Sequence, residues 1–405
     1  MTESLPPSGL SRRPRVLWAN VFCLLDSSSG ASMAVRQMLL QLQRHGYEVQ
    51  ILGATNFDHP RGAGVLQGHG EALKKAVGRF VTLTDESLQH VLLVTASSQR
   101  RAMQSGEESI WFMRYRQLLE TFKPDLVFTY GGKTLDLLLA SEAKQLGIPV
   151  AFYLANGNYT QQRFARDLAL VLTNSQAAAR MYRQRLGIEA VPLGLFVDPA
   201  KVVAAESTRQ HLLFVNPSLA KGAALVIRLA LLLERRRPDI IFEVVESRGA
   251  WHETLRQVTE KLGEPRDQLT NVVVTPNTAD MRPVYGRARL LLAPSLWWES
   301  AGRVVAEALL NGVPVVVTAR GGLPEMAGQG GLALQLPKEC YRPPYLPELS
   351  AVALQPVVDH IEKLFDDASC YEHWCQRARQ AASQHDLQCS TDRLVQALRP
   401  FLPLR

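Results

Sequence analysis

The chain has 405 residues, of which 46% are hydrophobic and 20% charged, and it carries a formal net charge of +7. This length exceeds one ordinary hydrophobic core and predicts two or three domains, while the composition is typical of globular proteins and excludes a disordered chain. The longest apolar runs fall far short of the roughly 20 residues that cross a bilayer, so no transmembrane helix is predicted.

The positive charge leaves three interpretations open: solvated helix faces, an anionic ligand or membrane surface, and nucleic acid. No helix-turn-helix, zinc finger or aromatic-rich RNA-binding strand accompanies the charge, so a nucleic-acid partner is not expected. Basic segments such as LKKAVGR permit a peripheral membrane contact. The N-terminus does not resemble a signal peptide, and five cysteines without a CxxC pair suit a reducing compartment. We therefore expect a cytoplasmic protein, with any membrane contact peripheral and at the inner face.

Short apolar strands alternate with helices in the first half of the chain. RVLWA at 15–19 predicts a strand, DSSSGAS at 26–32 a small-residue loop that contains Gly30, and the following amphipathic segment a helix ending at Gly46. This order is that of a βαβ unit. The region 55–120 is less regular, which indicates an insertion or acceptor-facing loops. The further strands predicted here are VQILGA, VTLT, VLLVT, PDLVFTY, PVAFYL, ALVLTNS and AVPLG.

A second set of strands and helices follows a linker-like stretch near 199–209. Its predicted strands are HLLFVNP, PDIIFEVVE, NVVVTP, ARLLLAPS and VPVVVT. Near-continuous Val, Ile and Leu strands, each followed by a helix, predict parallel sheets that are covered on both faces. The expected fold class is therefore α/β, with two doubly wound, Rossmann-like domains at 1–197 and 198–389 and a cleft between them. Ligands of such sheets bind beyond the carboxyl ends of the strands.

One segment places chemically useful residues just after a predicted strand: PSLWWESAGRVVAEALLNGVPVVVTARGGLPE at 294–325. A helix start near Gly302 offers unpaired N–H groups and a positive dipole end to phosphate oxygens, and Arg303 can add charge-assisted bonds. Glu307, about a turn into the helix, can accept bonds from a ribose diol, and Glu299 in the loop can reach a group beyond the phosphates. Taken in isolation, both acids would be interpreted as helix-dipole partners or surface charge.

The whole segment resembles the donor-site motif of retaining GT-B glycosyltransferases, family four, the glycogen-synthase-like or group 1 enzymes. The phenylalanine that usually precedes the motif glycine is replaced by Ala301. The matching positions are Pro294, Ser295, Glu299, Gly302, Glu307, Ala308, Gly312, Pro314, Gly321, Gly322 and Glu325.

Weaker matches extend the resemblance over nearly the whole chain. Lys221, in the pair KG, resembles the family's phosphate-contacting lysine, and the loop with Gly30 resembles its N-terminal glycine turn. Two positions depart from the family. Asn216 stands where an arginine often contacts the diphosphate, and Asn156 stands where a histidine often lies near the transferred sugar. Asn156 can hydrogen-bond to a sugar hydroxyl but cannot take a proton. Either the donor is held differently, with Arg303 or Arg248 supplying the missing charge, or activity is reduced.

The resemblance implies a GT-B hexosyltransferase that moves a sugar from a nucleotide-diphosphate donor with retention of configuration. We expect the donor sugar to be linked to UDP. The resemblance implies no metal ion and no cofactor, and the sequence contains no HExxH, no DxD beside a strand end and no clustered His/Cys spacing. A C-terminal helix at about 390–405 would pack back on the first domain. The implied catalytic residues are Glu299 and Asn156, and the implied nucleotide-sugar-binding residues are Gly30, Lys221, Gly302, Arg303 and Glu307.

Two alternatives stay open at this stage. A sugar-nucleotide epimerase or a phosphorylase can use the same two-domain scaffold, because fold does not determine function. A non-catalytic relative that binds a nucleotide sugar or a partner enzyme is also compatible with the chain, and the absent histidine and arginine favour it. The sequence does not indicate the sugar, the base, the linkage, the oligomeric state or the acceptor, which in this family is a glycan, lipid, protein or small molecule.

Overall fold

The computed structural model describes residues 12–347 and 349–402. These residues form two α/β units, each built on one sheet that has apolar clusters on both of its faces. The predicted α/β class with two Rossmann-like sheets is therefore confirmed. The predictions that fall on 1–11 and 403–405, the ends of the first domain and of the C-terminal helix, lie outside the described residues.

The described residues of the first unit form eight strands and five helices. Its strands are β1 Arg15–Ala19, β2 Glu48–Ala54, β3 Phe80–Asp85, β4 Leu88–Leu93, β5 Leu126–Thr129, β6 Val150–Leu154, β7 Leu170–Thr173 and β8 Val191–Pro192. Its helices are α1 Gly30–Arg44, α2 Gly70–Lys75, α3 Ser105–Thr121, α4 Thr134–Gln145 and α5 Gln176–Leu186.

The order of the first sheet is β3-β4-β2-β1-β5-β6-β7-β8, and all neighbours are parallel except β3 and β4. The sequence pattern predicts β3 and β4 as members of a parallel series, which is wrong. Only Glu86 and Ser87 separate the two strands, and two residues can join an antiparallel pair but cannot make the crossover of a parallel one. The irregular region 55–120 holds this hairpin, a 3₁₀ segment at Pro60–His69 and the unpredicted helix α3.

In the second unit, the part of the chain that the structure describes forms six parallel strands in the order β11-β10-β9-β12-β13-β14. The predicted strands all appear, but β14, a four-residue edge strand, was not predicted. The strands are β9 His211–Val215, β10 Phe242–Val245, β11 Val272–Thr275, β12 Ala288–Ala293, β13 Val315–Thr318 and β14 Gly331–Leu334. The helices that follow α5 are α6 Pro199–Val202, α7 Ala223–Arg236, α8 Trp251–Lys261, α9 Arg282–Arg287, α10 Arg303–Leu310, α11 Leu323–Ala327, α12 Ala351–Asp366, α13 Ala368–Ala382 and α14 Leu387–Leu398.

The last helix returns the chain to the first unit. α13 packs against α10 of the second unit, whereas α14 packs against α1 of the first. Leu394 and Leu398 of α14 are fully buried in the same core cluster as Trp18 and Leu39. The domain boundary at 197/198 stays a prediction. None of the helices in the described parts of the chain is long and apolar enough to cross a membrane.

Each sheet has one point at which the strand order reverses direction, and these points decide where a ligand can bind. The reversal lies between β1 and β5 in the first sheet and between β9 and β12 in the second. At such a point the loops that leave the two adjacent strands diverge to opposite faces and open a crevice beyond the carboxyl ends. A ligand site is therefore expected at the loops after β1, β9 and β12.

Candidate active site

A cavity of about 380 Å³ lies between the two units, where the loops after β1, β9, β10 and β12 meet. Six of the seven predicted site residues line it: Gly30, Asn156, Lys221, Glu299, Gly302 and Arg303. The seventh, Glu307, lines a second cavity of about 210 Å³, and both cavities share Ser28, Arg248 and Arg303 in their walls. The structure thus brings the predicted residues into one continuous region.

Lys221 and Glu299 form an ion pair at the wall of the larger cavity. Lys221 ends a short 3₁₀ turn, and Gly222 follows with a φ of +88°. A Cβ at Gly222 would lie 2.1 Å from the carbonyl oxygen of Pro294, so glycine permits the loops after β9 and β12 to touch. This close approach explains why the lysine and the glutamate meet across 78 positions of sequence. Ser295 Oγ lies 3.1 Å from Glu299 Oε1 and fixes the same carboxylate.

The glycine pair Gly321 and Gly322 supports the backbone of the loop that carries Glu299. A Cβ at Gly321 would lie 2.1 Å from the carbonyl oxygen of Glu299, and a Cβ at Gly322 would lie 2.1 Å from that of Ser300. The N–H of Gly322 donates to the carbonyl of Glu299 over 2.8 Å. The glycine pair of the motif therefore acts on the position of Glu299 through the backbone.

Gly302 precedes α10, as predicted, but its surroundings give a reason for glycine that the sequence did not suggest. A Cβ at this position would lie 2.7 Å from Leu323 Cδ2 and 3.1 Å from Val305 Cγ2. A larger residue would require the side chain of Leu323 to shift, so packing between α10 and α11 favours glycine whether or not a ligand approaches. At Gly30 the situation is the reverse, because no described atom lies within 4 Å of a Cβ built there.

Glu307 is almost fully buried, with a side chain that is 8% exposed, and its two oxygens have different neighbours. Oε2 accepts a hydrogen bond of 2.7 Å from the hydroxyl of Tyr285, and Oε1 lies 2.7 Å from Nε of Arg303. Burial and the charge of Glu307 raise the pKa of Tyr285 well above its usual range, so its hydroxyl stays a donor. Tyr285 was missed by the sequence analysis, since nothing local to VYGRAR marks it.

The two asparagines that replace family residues are both engaged in local structure. Asn156 Oδ1 accepts from the N–H of Asn158 over 3.0 Å, which leaves the amide Nδ2 as the group that can donate into the cavity. Asn216 has a φ of +64°, a conformation that asparagine tolerates. Its Oδ1 accepts from the N–H of Gly249 over 3.0 Å and so holds the loop after β10.

The loop that Asn216 holds carries Arg248 into the cavity. Arg248 Nη2 lies 2.6 Å from the carbonyl oxygen of Ser28 in the first unit and 3.5 Å from Asp58 Oδ2. In the opposite direction, Arg61 of the first unit donates to the carbonyl of Ser247. These contacts close one side of the cleft with partly exposed charged groups, and Arg248 lines the same cavity as Asn216.

The other side of the cleft is closed by a partly exposed interdomain contact at Glu325 and a more buried one at Ser300. Its carboxylate accepts from the N–H groups of Gln176 and Ala177, each over 2.8 Å, at the start of α5 in the first unit. Ser300 Oγ donates to the carbonyl of Ala155 over 2.6 Å and accepts from Asn174 Nδ2 over 2.9 Å. The last glutamate of the motif thus caps a helix of the other unit, a role that no local sequence pattern reveals.

Replacing Glu325 with alanine is expected to loosen this side of the cleft by about 1 kcal/mol, the usual cost of losing an N-terminal cap. The amides of Gln176 and Ala177 should then exchange with deuterium faster, which mass spectrometry of the α5 peptide measures. Asp386→Ala is the matched control, because Asp386 caps α14 through the N–H of Cys389 and should leave α5 unchanged. Unchanged protection of the α5 peptide in Glu325→Ala would show that the contact is dispensable.

Within residues 12–347 and 349–402, no group of three or more His, Cys, Asp or Glu side chains is arranged to hold a metal ion. The cationic groups at the cavity are side chains: Lys221, Arg248 and Arg303. Glu299 and Asp58 are the carboxylates in its wall. This arrangement suits a ligand with a compact negative charge and neighbouring hydroxyl groups.

Comparison with known proteins agrees with this geometry. Residues 200–338 match the family model described as glycosyl transferases group 1, so the second unit carries a group 1 glycosyltransferase domain. No curated protein sequence matches the chain.

Solved structures resemble the chain over nearly its whole length. A glycosyltransferase from Rickettsia africae aligns with a TM-score of 0.66 at 13% identity, covering 98% of this chain and 100% of that one. Sucrose-phosphate synthase from Thermosynechococcus elongatus gives 0.67 at 14% identity, with 96% and 99% covered. HepE from Anabaena, solved in complex with UDP-glucose, gives 0.64 at 15% identity, with 95% and 99% covered. At these identities the likeness establishes the fold, which confirms the predicted GT-B architecture.

Proposed function

We propose that the protein is a retaining glycosyltransferase that moves a hexosyl group from a UDP-linked donor to an acceptor hydroxyl without a metal ion. The observation that carries the proposal is the convergence of Lys221, Arg303 and Glu299 on one interdomain cavity, with Glu307 in the adjoining one. The group 1 domain at 200–338 supports it, as does a structural neighbour that was solved with UDP-glucose.

In this proposal, different parts of the donor occupy the two cavities. The diphosphate lies at the start of α10, where the N–H groups and the dipole favour negative charge, and Lys221 and Arg303 add their cations. The nucleoside occupies the smaller cavity, where Glu307 accepts from the ribose diol. The sugar lies beside Glu299 and Asn156 at the end of the cavity that faces the first unit.

The chemistry follows from where charge develops. As the bond between the anomeric carbon and the phosphate oxygen breaks, negative charge grows on the diphosphate and positive charge on the sugar ring. Lys221, Arg303 and the helix-start amides stabilise the first, and the Glu299 carboxylate stabilises the second. The acceptor oxygen attacks from the same face, and its proton passes to the departing phosphate oxygen. Because the phosphate oxygen takes this proton, no side chain has to act as a base. Asn156 only donates a hydrogen bond to a sugar hydroxyl.

A non-catalytic nucleotide-sugar-binding protein is the second candidate. Two observations favour it: Asn156 and Asn216 stand in place of a proton-accepting histidine and a phosphate-binding arginine, and both are committed to local hydrogen bonds. Binding measurements alone do not separate the two candidates, because both predict a nucleotide-sugar site. The acceptor, the cytoplasmic location and a peripheral membrane contact stay predictions.

A thermal-unfolding screen with UDP, UDP-glucose, GDP and GDP-mannose tests the donor site first. A ligand at a hundred times its Kd should add about 2.7 kcal/mol to the free energy of unfolding. A donor labelled in the sugar then tests the chemistry through release of free nucleotide and transfer of label to an acceptor library. Stabilisation by a nucleotide sugar with release at the rate of the buffer blank would favour the binding protein. Absence of stabilisation by every nucleotide would refute both candidates.

A further inference from the structure

We propose that Tyr285 is a positioning residue for the ribose of the nucleotide and acts through Glu307; the inference rests on the proposed function. Tyr285 lies on α9, outside the motif, and it is fully buried. Its hydroxyl donates to Oε2 of Glu307 over 2.7 Å, while Oε1 lies 2.7 Å from Nε of Arg303. The carboxylate that would hold the ribose thus has a different side chain at each of its two oxygens, and Tyr285 is the one that hydrogen-bonds to it.

The ion pair with Arg303 is close but poorly aligned. Although Nε of Arg303 lies 2.7 Å from Oε1 of Glu307, it is a buried atom that makes no hydrogen bond to any described residue, so its N–H points away from the line between the two atoms. Nη1 of Arg303 instead donates to the carbonyl of Phe196 over 3.2 Å. A modest rotation would let the guanidinium form a bidentate fork with the carboxylate, which is the preferred geometry of such pairs.

The hydrogen bond from Tyr285 opposes this rotation. A bidentate fork would engage both oxygens of Glu307 with Arg303 and turn them away from a ligand. Tyr285 engages Oε2, so the carboxylate cannot give both oxygens to Arg303, and Glu307 stays in the wall of the smaller cavity. Burial raises the pKa of Tyr285 well above its usual range, and the hydroxyl is therefore a donor at neutral pH.

The position of Tyr285 is set by a well-supported helix. A Cβ at the next residue, Gly286, would lie 2.5 Å from the carbonyl oxygen of Glu206, so the linker between the two units packs directly on α9. The N–H of Thr208 donates to the carbonyl of Gly286 over 2.8 Å. The ring of Tyr285 belongs to the buried cluster that also contains Val305 of α10. A hydroxyl held in this way can determine the orientation of a neighbouring carboxylate.

The chemistry of Glu307 and Tyr285 indicates which groups of a ligand they would bind. Glu307 lines the smaller cavity together with Asn277 and Thr278, which follow β11. A carboxylate with two directed lone pairs suits two adjacent hydroxyl donors, as on C2′ and C3′ of a ribonucleotide. A nucleotide without these hydroxyls would not use Glu307, and it would therefore not depend on Tyr285.

The test measures the affinity of UDP and of 2′,3′-dideoxy-UDP by titration calorimetry for the wild type and Tyr285→Phe. We expect UDP to bind about tenfold more weakly to Y285F, equivalent to about 1.4 kcal/mol, and dideoxy-UDP to bind both proteins equally. Tyr115→Phe is the matched control: Tyr115 is also fully buried and donates over 3.0 Å to the carbonyl of Leu139 in the first unit. It should leave both affinities unchanged.

The outcomes separate the role of Tyr285 from the proposed function. Equal weakening of UDP and dideoxy-UDP by Y285F would show a general structural effect and overturn the positioning role, as would unchanged affinity for UDP. In either case, binding of UDP to the wild type leaves the proposed function standing. A wild-type protein that binds no nucleoside diphosphate, whether UDP, GDP or ADP, overturns the proposed function and the role of Tyr285 together.

Discussion

Replacing Glu307 with alanine is expected to weaken UDP binding about 30- to 100-fold and to raise the KM for the donor in proportion. Hydrogen bonds to a charged group contribute about 1.5–3 kcal/mol in protein sites, and a factor of ten in affinity corresponds to about 1.4 kcal/mol. Because the ribose is held equally in the ground state and the transition state, kcat should fall less than the affinity does. Calorimetry with UDP and steady-state kinetics with a confirmed donor measure the two effects.

The same substitution also removes a buried charge, so a control is needed for lost stability. Glu243→Ala provides it, since Glu243 is a buried carboxylate on β10 of the same unit, pairs with Arg287 over 2.6 Å and lines neither cavity. Burial alone would raise the pKa of Glu243, but hydrogen bonds from Arg287, His211 and Thr275 outweigh it and hold the pKa below its usual value. Both variants should unfold at lower temperature, but only Glu307→Ala should lose affinity for UDP. Wild-type affinity in Glu307→Ala would contradict the ribose assignment.

The fold could be predicted from the sequence to the extent that local periodicity encodes it. Runs such as VVVT of β13 are apolar on both faces, which only a sheet covered by helices on both sides can bury. The β3–β4 hairpin escaped prediction because its strands look like the others, and only the length of the connection reveals the antiparallel pairing. β14 escaped because GLAL is a four-residue edge strand with one buried neighbour.

The candidate site was predictable only where its residues are close in sequence. Glu299, Gly302, Arg303 and Glu307 occupy one loop and one helix start, so spacing alone predicted their proximity, and the structure brings them to two adjoining cavities. Contacts between distant segments were not predictable in this way. Arg248 meets Ser28 across 220 positions of sequence, and no local pattern records such a contact.

The structural roles of the motif glycines also could not be predicted from the sequence. The sequence assigned Gly302 to the helix start that would bind the nucleotide sugar, whereas in the structure a Cβ at this position would crowd the side chains of Leu323 and Val305. Gly321 and Gly322 matched the motif without an assigned role, and they turn out to support the backbone of Glu299 and Ser300. The spacing of a motif can therefore be satisfied by packing, and only the three-dimensional structure distinguishes packing from ligand contact.

Replacing Glu299 with glutamine is expected to separate catalysis from nucleotide binding. Turnover should fall about 10²- to 10³-fold, the usual loss when one electrostatic contact to the transition state is removed. UDP, which has no sugar for Glu299 to contact, should bind about two- to fivefold more tightly. The reason is the ion pair between Lys221 and Glu299: a phosphate must compete with this carboxylate for the lysine, and partly exposed pairs of this kind are worth up to about 1 kcal/mol.

Lys221→Met should act in the opposite sense on binding, because it removes the cation itself. UDP and the UDP-sugar donor should then both bind about tenfold or more weakly, since a charge-assisted bond to phosphate is lost. Lys201→Met is the matched control, as Lys201 pairs with Glu86 on the hairpin turn and lines neither cavity. Calorimetry with UDP on the wild type and the three variants measures the binding effects. If Glu299→Gln weakens UDP as much as it weakens turnover, Glu299 contacts the nucleotide itself, and the division of the donor between the two glutamates is wrong.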